Sequence, residues 1–150
     1  MIEPVLKVLE VPCSPDAAFR VFTENFSAWW PKDKHSVSAM GGASAQSVML
    51  EPHEGGAVAE IAADGTRHSW GTVKTFDPPA TLTLLWHIGR PATDATLMDT
   101  TFEANAKVTL KHHDWGKLGE AATAMREGYN NGWVHVFEAC FAKACAKLAA

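Results

Sequence analysis

A chain of 150 residues, 47% hydrophobic and 20% charged, has the length and composition of one compact domain spanning 1–150. Thirteen Lys and Arg against 17 Asp and Glu give a net charge of −4 with no basic cluster, which argues against nucleic acid as a partner. No apolar run approaches the ~20 residues that cross a bilayer, and residues 1–25 lack a basic stretch followed by an apolar one. The expectation is a cytoplasmic protein with no membrane partner.

Residues 2–11 mix β-branched and charged side chains in partial alternation, which predicts a half-buried strand stopped by Pro12. Ser14-Pro15-Asp16 supplies an N-cap, a proline at the first helical position and a first-turn acid, so a short helix is predicted from Pro15 to about Phe22. Thr23 is placed to cap a second short helix carrying Phe26, Trp29 and Trp30, which must end before Pro31. The Ser- and Gly-rich residues 32–45 read as a mobile loop able to gate a site.

Six strands are expected next, at 46–51, 57–62, 68–76, 81–88, 96–103 and 107–113, separated by turn residues such as Gly55-Gly56, Asp64-Gly65 and Asp77-Pro78-Pro79. From about Leu118 to Ala149 the apolar period changes. Met125, Tyr129, Trp133, Val136, Phe137, Cys140 and Ala144 recur at three and four residues, which predicts one amphipathic helix, weakened locally by Gly128 and Gly132. At 1.5 Å per residue it would reach roughly 45 Å, long enough to cover the apolar face of an antiparallel sheet.

That order of elements, and a series of local motifs, resembles a known superfamily. The motifs are Pro12-Cys13-Ser14-Pro15-Asp16-Ala17-Ala18-Phe19, Trp29-Trp30-Pro31, Glu51-Pro52-His53-Glu54-Gly55-Gly56, and Asp64-Gly65 followed by Trp70-Gly71-x-Val73. Asp77-Pro78-Pro79-x-x-Leu82-x-Leu84-x-Trp86, Val108-Thr109-Leu110-x-His112 and Gly132-Trp133 follow. Together they resemble the START-like (SRPBCC, helix-grip) superfamily, and within it the branch related to the activator of heat-shock-protein-90 ATPase. The resemblance implies an α+β fold in which a curved antiparallel sheet of about seven strands, with two short helices, wraps a long C-terminal helix. It departs at Asn105-Ala106-Lys107, where this branch usually carries a Gly-Thr-Arg-like run. The superfamily spans ligand carriers, polyketide cyclases and aromatases, and chaperone-linked proteins, so function has to be read from the site.

Strand alternation assigns side chains to faces. Leu82, Leu84 and Trp86 share one face, as do Val108, Leu110 and His112, and Thr96, Met98, Thr100 and Phe102. Val58 and Glu60 share a face of the third strand, while an inward Gly71 and Val73 on the fourth turn Trp70 outward or toward the rim. The expected ligand wall is therefore Trp30, Val58, Glu60, Trp86, Met98, Thr100, Phe102, Leu110, His112, Trp133, Val136 and Phe137, although the same periodicity describes a filled core. Glu60 and His112 are the catalytic candidates, since an inward carboxylate needs a partner and an imidazole would supply one.

The seven histidines, including His35, His53, His68, His87, His113 and His135, show no metal-binding spacing. Cys13, Cys140 and Cys145 form no C-x-x-C, and neither a metal nor another cofactor is expected. Three readings stay open: a carrier of a hydrophobic or aromatic small molecule, a cyclase or aromatase acting through Glu60 and His112, and a chaperone-linked interaction module. Free sheet edges are compatible with a monomer or a homodimer.

Overall fold

The computed structural model describes residues 2–149. Seven strands, β1 (Val5–Glu10), β2 (Ser47–Leu50), β3 (Ala57–Ile61), β4 (Arg67–Asp77), β5 (Thr81–Trp86), β6 (Thr96–Phe102) and β7 (Lys107–His113), form one antiparallel sheet in the order β1-β7-β6-β5-β4-β3-β2. β2 to β7 are a meander, and β1 closes on β7. The helices α1 (Pro15–Thr23), α2 (Phe26–Trp29) and α3 (Val37–Met40) lie between β1 and β2. After β7 the chain passes through a 3₁₀ stretch, Trp115–Ala121, into α4 (Ala122–Trp133), a π-helical segment Val134–Phe141 and α5 (Ala142–Ala149). This is the α+β helix-grip arrangement, and no helix is long and apolar enough to cross a membrane.

Ser14 caps α1 as expected, its Oγ accepting from the Ala17 N–H at 3.1 Å, with Pro15 in the first turn. Thr23 does not cap α2. The backbone stays helical through Glu24, so the Thr23 hydroxyl is still inside the turn and donates back to the Phe19 carbonyl at 2.8 Å. Residues 32–45 are more ordered than their composition suggests, because Ser36 caps α3 by accepting from the Ala39 N–H at 2.9 Å. The C-terminal helix starts later than Leu118, at Ala122, because Gly119 (φ 59, ψ −127) kinks the chain before it.

Alternation holds on β5, β6 and β7, where Leu82, Leu84, Trp86, Thr96, Met98, Thr100, Phe102, Val108, Leu110 and His112 are all buried. It fails on β4. The β3–β4 register steps from Val58↔Gly71 to Ala59↔Ser69, leaving Trp70 as the extra residue of a bulge. Trp70 is therefore fully buried rather than outward, its ring 5.2 Å from that of Trp30 and 5.7 Å from that of Trp86. The bulge requires glycine beside it, since a Cβ on Gly71 would sit 1.9 Å from the Leu85 carbonyl oxygen.

The β6–β7 turn explains the departure at Asn105-Ala106-Lys107. Ala106 has φ 64, the left-handed region that penalises a Cβ, and its carbonyl accepts from the Val11 N–H at 2.9 Å. Ala106→Gly relieves that strain, and urea denaturation should show the variant more stable by about 1 kcal/mol. A loss of stability would contradict the left-handed assignment.

Candidate functional site

Trp30, at the end of α2, meets Trp70, Trp86 and Trp133 at ring distances of 5.2, 5.6 and 6.0 Å. One edge of this indole cluster opens on a cavity of about 290 Å³ between the α2–α3 segment and the C-terminal helix. Trp30, Trp86 and Ile88 form its inner wall, with Lys34, His35, Ser36 and Met40 on the α3 side. The helix contributes Ala124, Met125, Gly128, Tyr129, Gly132, Trp133 and Val136. Ala124, Gly128 and Gly132 fall four apart on one face, and the space is there because they have little or no side chain: a Cβ on Gly128 would meet nothing within 4 Å. His35 roofs Gly132 and packs against His135 with ring centroids 5.4 Å apart; burial and the neighbouring His135 lower its pKa.

A second, larger groove of about 470 Å³, as open to the surface as the first, runs between α1, α2 and α5. Its lining holds one aromatic ring, Trp29, beside the exposed Lys143 and Lys147.

His112 is not in the cavity wall. Its Nδ1 accepts from Trp133 Nε1 at 3.1 Å, so the ring proton sits on Nε2 and is donated to Thr96 Oγ1 at 2.6 Å. Thr96 passes the chain to the Trp86 carbonyl at 3.2 Å, and Trp115 Nε1 donates to the His112 carbonyl at 3.1 Å. Burial, with the charges of Arg90 and His113 added, lowers the imidazole pKa to about 3. With both nitrogens engaged and no charge at neutral pH, His112 is a core group that fixes Trp133 and Trp86.

Glu60 is equally saturated. It accepts from the backbone N–H groups of Val37 and Ser38, from the Ser38 hydroxyl at 2.6 Å and from Trp70 Nε1 at 2.8 Å. Burial alone would raise its pKa, but these donors outweigh it and hold the carboxyl below its usual range. The acid–base couple is therefore corrected: β6, β5 and β4 lie between the two residues, roughly 19 Å along the sheet at ~4.8 Å per strand.

Of the residues expected to contact a ligand, the structure puts Trp30, Trp86, Trp133 and Val136 in the cavity wall. Val58, Met98, Thr100, Phe102, Leu110 and Phe137 are packed into the core, as are Glu60 and His112. The residues missed lie on α4 and the α3 segment, and Ala124-x₃-Gly128-x₃-Gly132 was the available signal: small residues at helical spacing on a face that ought to be bulky. Among the described residues no cluster of three or more His, Cys, Asp or Glu could hold a metal, and the three cysteines are free.

No family model and no curated protein matches this sequence. Solved structures do match the fold. An anthrahydroquino-gamma-pyrone synthase, Txn09, is 23% identical with a TM-score of 0.59, covering 95% of this chain and 97% of its own. The Aha1 dimer from Colwellia psychrerythraea, 13% identical with a TM-score of 0.59, matches over 93% of this chain and 96% of that one. DynU16, from the dynemicin biosynthetic locus, is 16% identical with a TM-score of 0.60; the match takes in 95% of this chain and 47% of DynU16. The chain shares the START-like, helix-grip fold with them.

Two consequences of the buried polar groups are measurable. Below its unfolded pKa of ~6.5 His112 takes up a proton only in the unfolded chain, so its contribution to stability falls as pH drops toward the folded value of about 3. Between pH 7 and pH 5 urea denaturation should show a loss of about 2 kcal/mol from this residue, absent in His112→Gln; an equal loss in the variant contradicts the assignment. Glu60→Gln turns an amide toward N–H donors and should cost about 3 kcal/mol in the same assay, whereas a change under about 0.5 kcal/mol would show that the carboxylate does not hold α3.

Proposed function

We propose that this protein binds a planar, apolar, aromatic small molecule in the cavity between α3 and the C-terminal helix. The observation that carries the reading is an unfilled space of about 290 Å³ walled by the rings of Trp30, Trp86, Trp133 and Tyr129. Indole and phenol faces offer large, rigid apolar area to a flat guest at little conformational cost. Glycine at 128 and 132 costs helix stability of about 1 kcal/mol per residue relative to alanine, and an open cavity is what that cost obtains.

Binding is favoured over turnover by the state of the polar groups. Glu60 and His112, the acid–base candidates, are spent on holding Trp70, Trp133 and α3 in place, and neither lines the cavity. The naming of one fold relative as a synthase of an aromatic pyrone supports the aromatic character of the guest. The proposed partner is thus a small molecule rather than a nucleic acid or a bilayer.

Gly128→Leu tests the reading without threatening the fold, because its Cβ meets open space and leucine is the better helix former. Isothermal titration with 2-ethylnaphthalene should give saturable binding to the wild type and at least about a tenfold loss in the variant, with thermal stability kept or raised by about 1 kcal/mol. Unchanged binding in Gly128→Leu would place the guest elsewhere, and no binding to the wild type would remove the reading.

A further inference from the structure

The walls of the cavity are apolar, but its charge is one-sided. Among the described residues no Asp or Glu lines it, while Lys34 and His35 stand at its mouth, with Asp33 beside His35 but outside the wall. At the inner end Tyr129 packs under Arg90, whose guanidinium carbon lies 5.9 Å from the ring centroid. Arg90 Nη2 donates to the Tyr129 hydroxyl at 3.4 Å and to the Trp86 carbonyl at 3.2 Å, and Nη1 donates to the Asp94 carbonyl at 2.7 Å. These are all neutral acceptors. Arg90 makes no ion pair with a described carboxylate, and its Nε is buried without a partner, so its charge is not cancelled locally.

Two donors are left over at this end. The Trp86 indole faces the Tyr129 hydroxyl, but among the described residues its buried N–H finds no acceptor at full bonding geometry. The Tyr129 oxygen already takes a hydrogen from Arg90, and its own proton has no acceptor among the described residues. A buried donor without an acceptor is costly, and a phenol whose oxygen is pulled on by a guanidinium is a stronger donor than an isolated one. The group that completes this arrangement is an oxygen acceptor, best of all one with negative charge.

We propose that the cavity selects planar aromatic molecules bearing an anionic oxygen, such as a carboxylate or phenolate, received by the Tyr129 hydroxyl with Arg90 behind it. This rests on the cavity being the binding site. It adds that a net-negative protein holds a locally cation-favoured pocket, so that a ring system with an ammonium group is rejected where one with an acidic oxygen is retained.

The test compares three probes of similar shape, 2-naphthoate, 2-acetylnaphthalene and 2-ethylnaphthalene, by isothermal titration at pH 7.5. Wild-type protein should bind 2-naphthoate at least about tenfold more tightly than 2-ethylnaphthalene, with the ketone between them. Tyr129→Phe should shrink that preference to under about twofold, the ratio of the two affinities within the variant being the readout whatever its affinity for 2-ethylnaphthalene alone. Arg90→Met, checked for its melting temperature, should abolish the advantage of the carboxylate over the ketone. Equal affinity for all three probes in the wild type, or a preference undiminished in both variants, overturns the inference and leaves the cavity reading intact. Failure of every probe to bind removes both.

Discussion

The shape of the cavity depends on one carboxylate. Glu60 reaches from β3 to four donors on two separate parts of the chain: the backbone and hydroxyl at the start of α3, and the indole of the bulged Trp70. A buried charge is stable only when its donors are supplied, so the interaction fixes all its partners at once. It seats α3 against the sheet, which makes one side of the cavity, and it turns Trp70 toward Trp30 and Trp86, which makes the indole cluster behind the other. A segment of serines and glycines that would otherwise wander is thereby given a single position.

The contrast between satisfied and unsatisfied polar groups separates framework from site. Trp133, His112, Thr96 and the Trp86 carbonyl form a closed relay in which each nitrogen and hydroxyl has a partner. A relay of this kind rigidifies a core and has nothing to offer a guest. A few ångströms away the Trp86 N–H and the Arg90 Nε lack acceptors among the described residues, and the Tyr129 hydroxyl only accepts there. Trp86 and Tyr129 border the cavity and Arg90 backs Tyr129, and the proposed anionic guest is the one that would complete them.

The sheet and its covering helix were legible because period-two and period-3.6 patterns report which face is buried, and on β5, β6 and β7 nothing interrupts them. Trp70 was misassigned because a bulge adds one residue to a strand and reverses every face before it; the only local trace is Gly71, whose missing Cβ admits the Leu85 carbonyl. The cavity wall was legible in part, as Trp30, Trp86, Trp133 and Val136. Glu60 and His112 were rightly placed inside, but side-chain facing carries no information about separation across a sheet, and three strands lie between them. Alternation also cannot tell a lined cavity from a filled core. Absence of volume does so, and Gly128 and Gly132 carried that signal while being read only as weak points in a helix.

The most direct test of the account is ¹⁹F NMR of protein labelled with 5-fluorotryptophan, whose six resonances are assigned by single substitutions and followed during titration with 2-ethylnaphthalene. The account predicts shifts at Trp30, Trp86 and Trp133, whose rings wall the cavity, and none at Trp29, which lines the groove beside α5. Shifts at Trp29 with the other three unmoved would contradict it and transfer the binding site to the opposite side of the short helices.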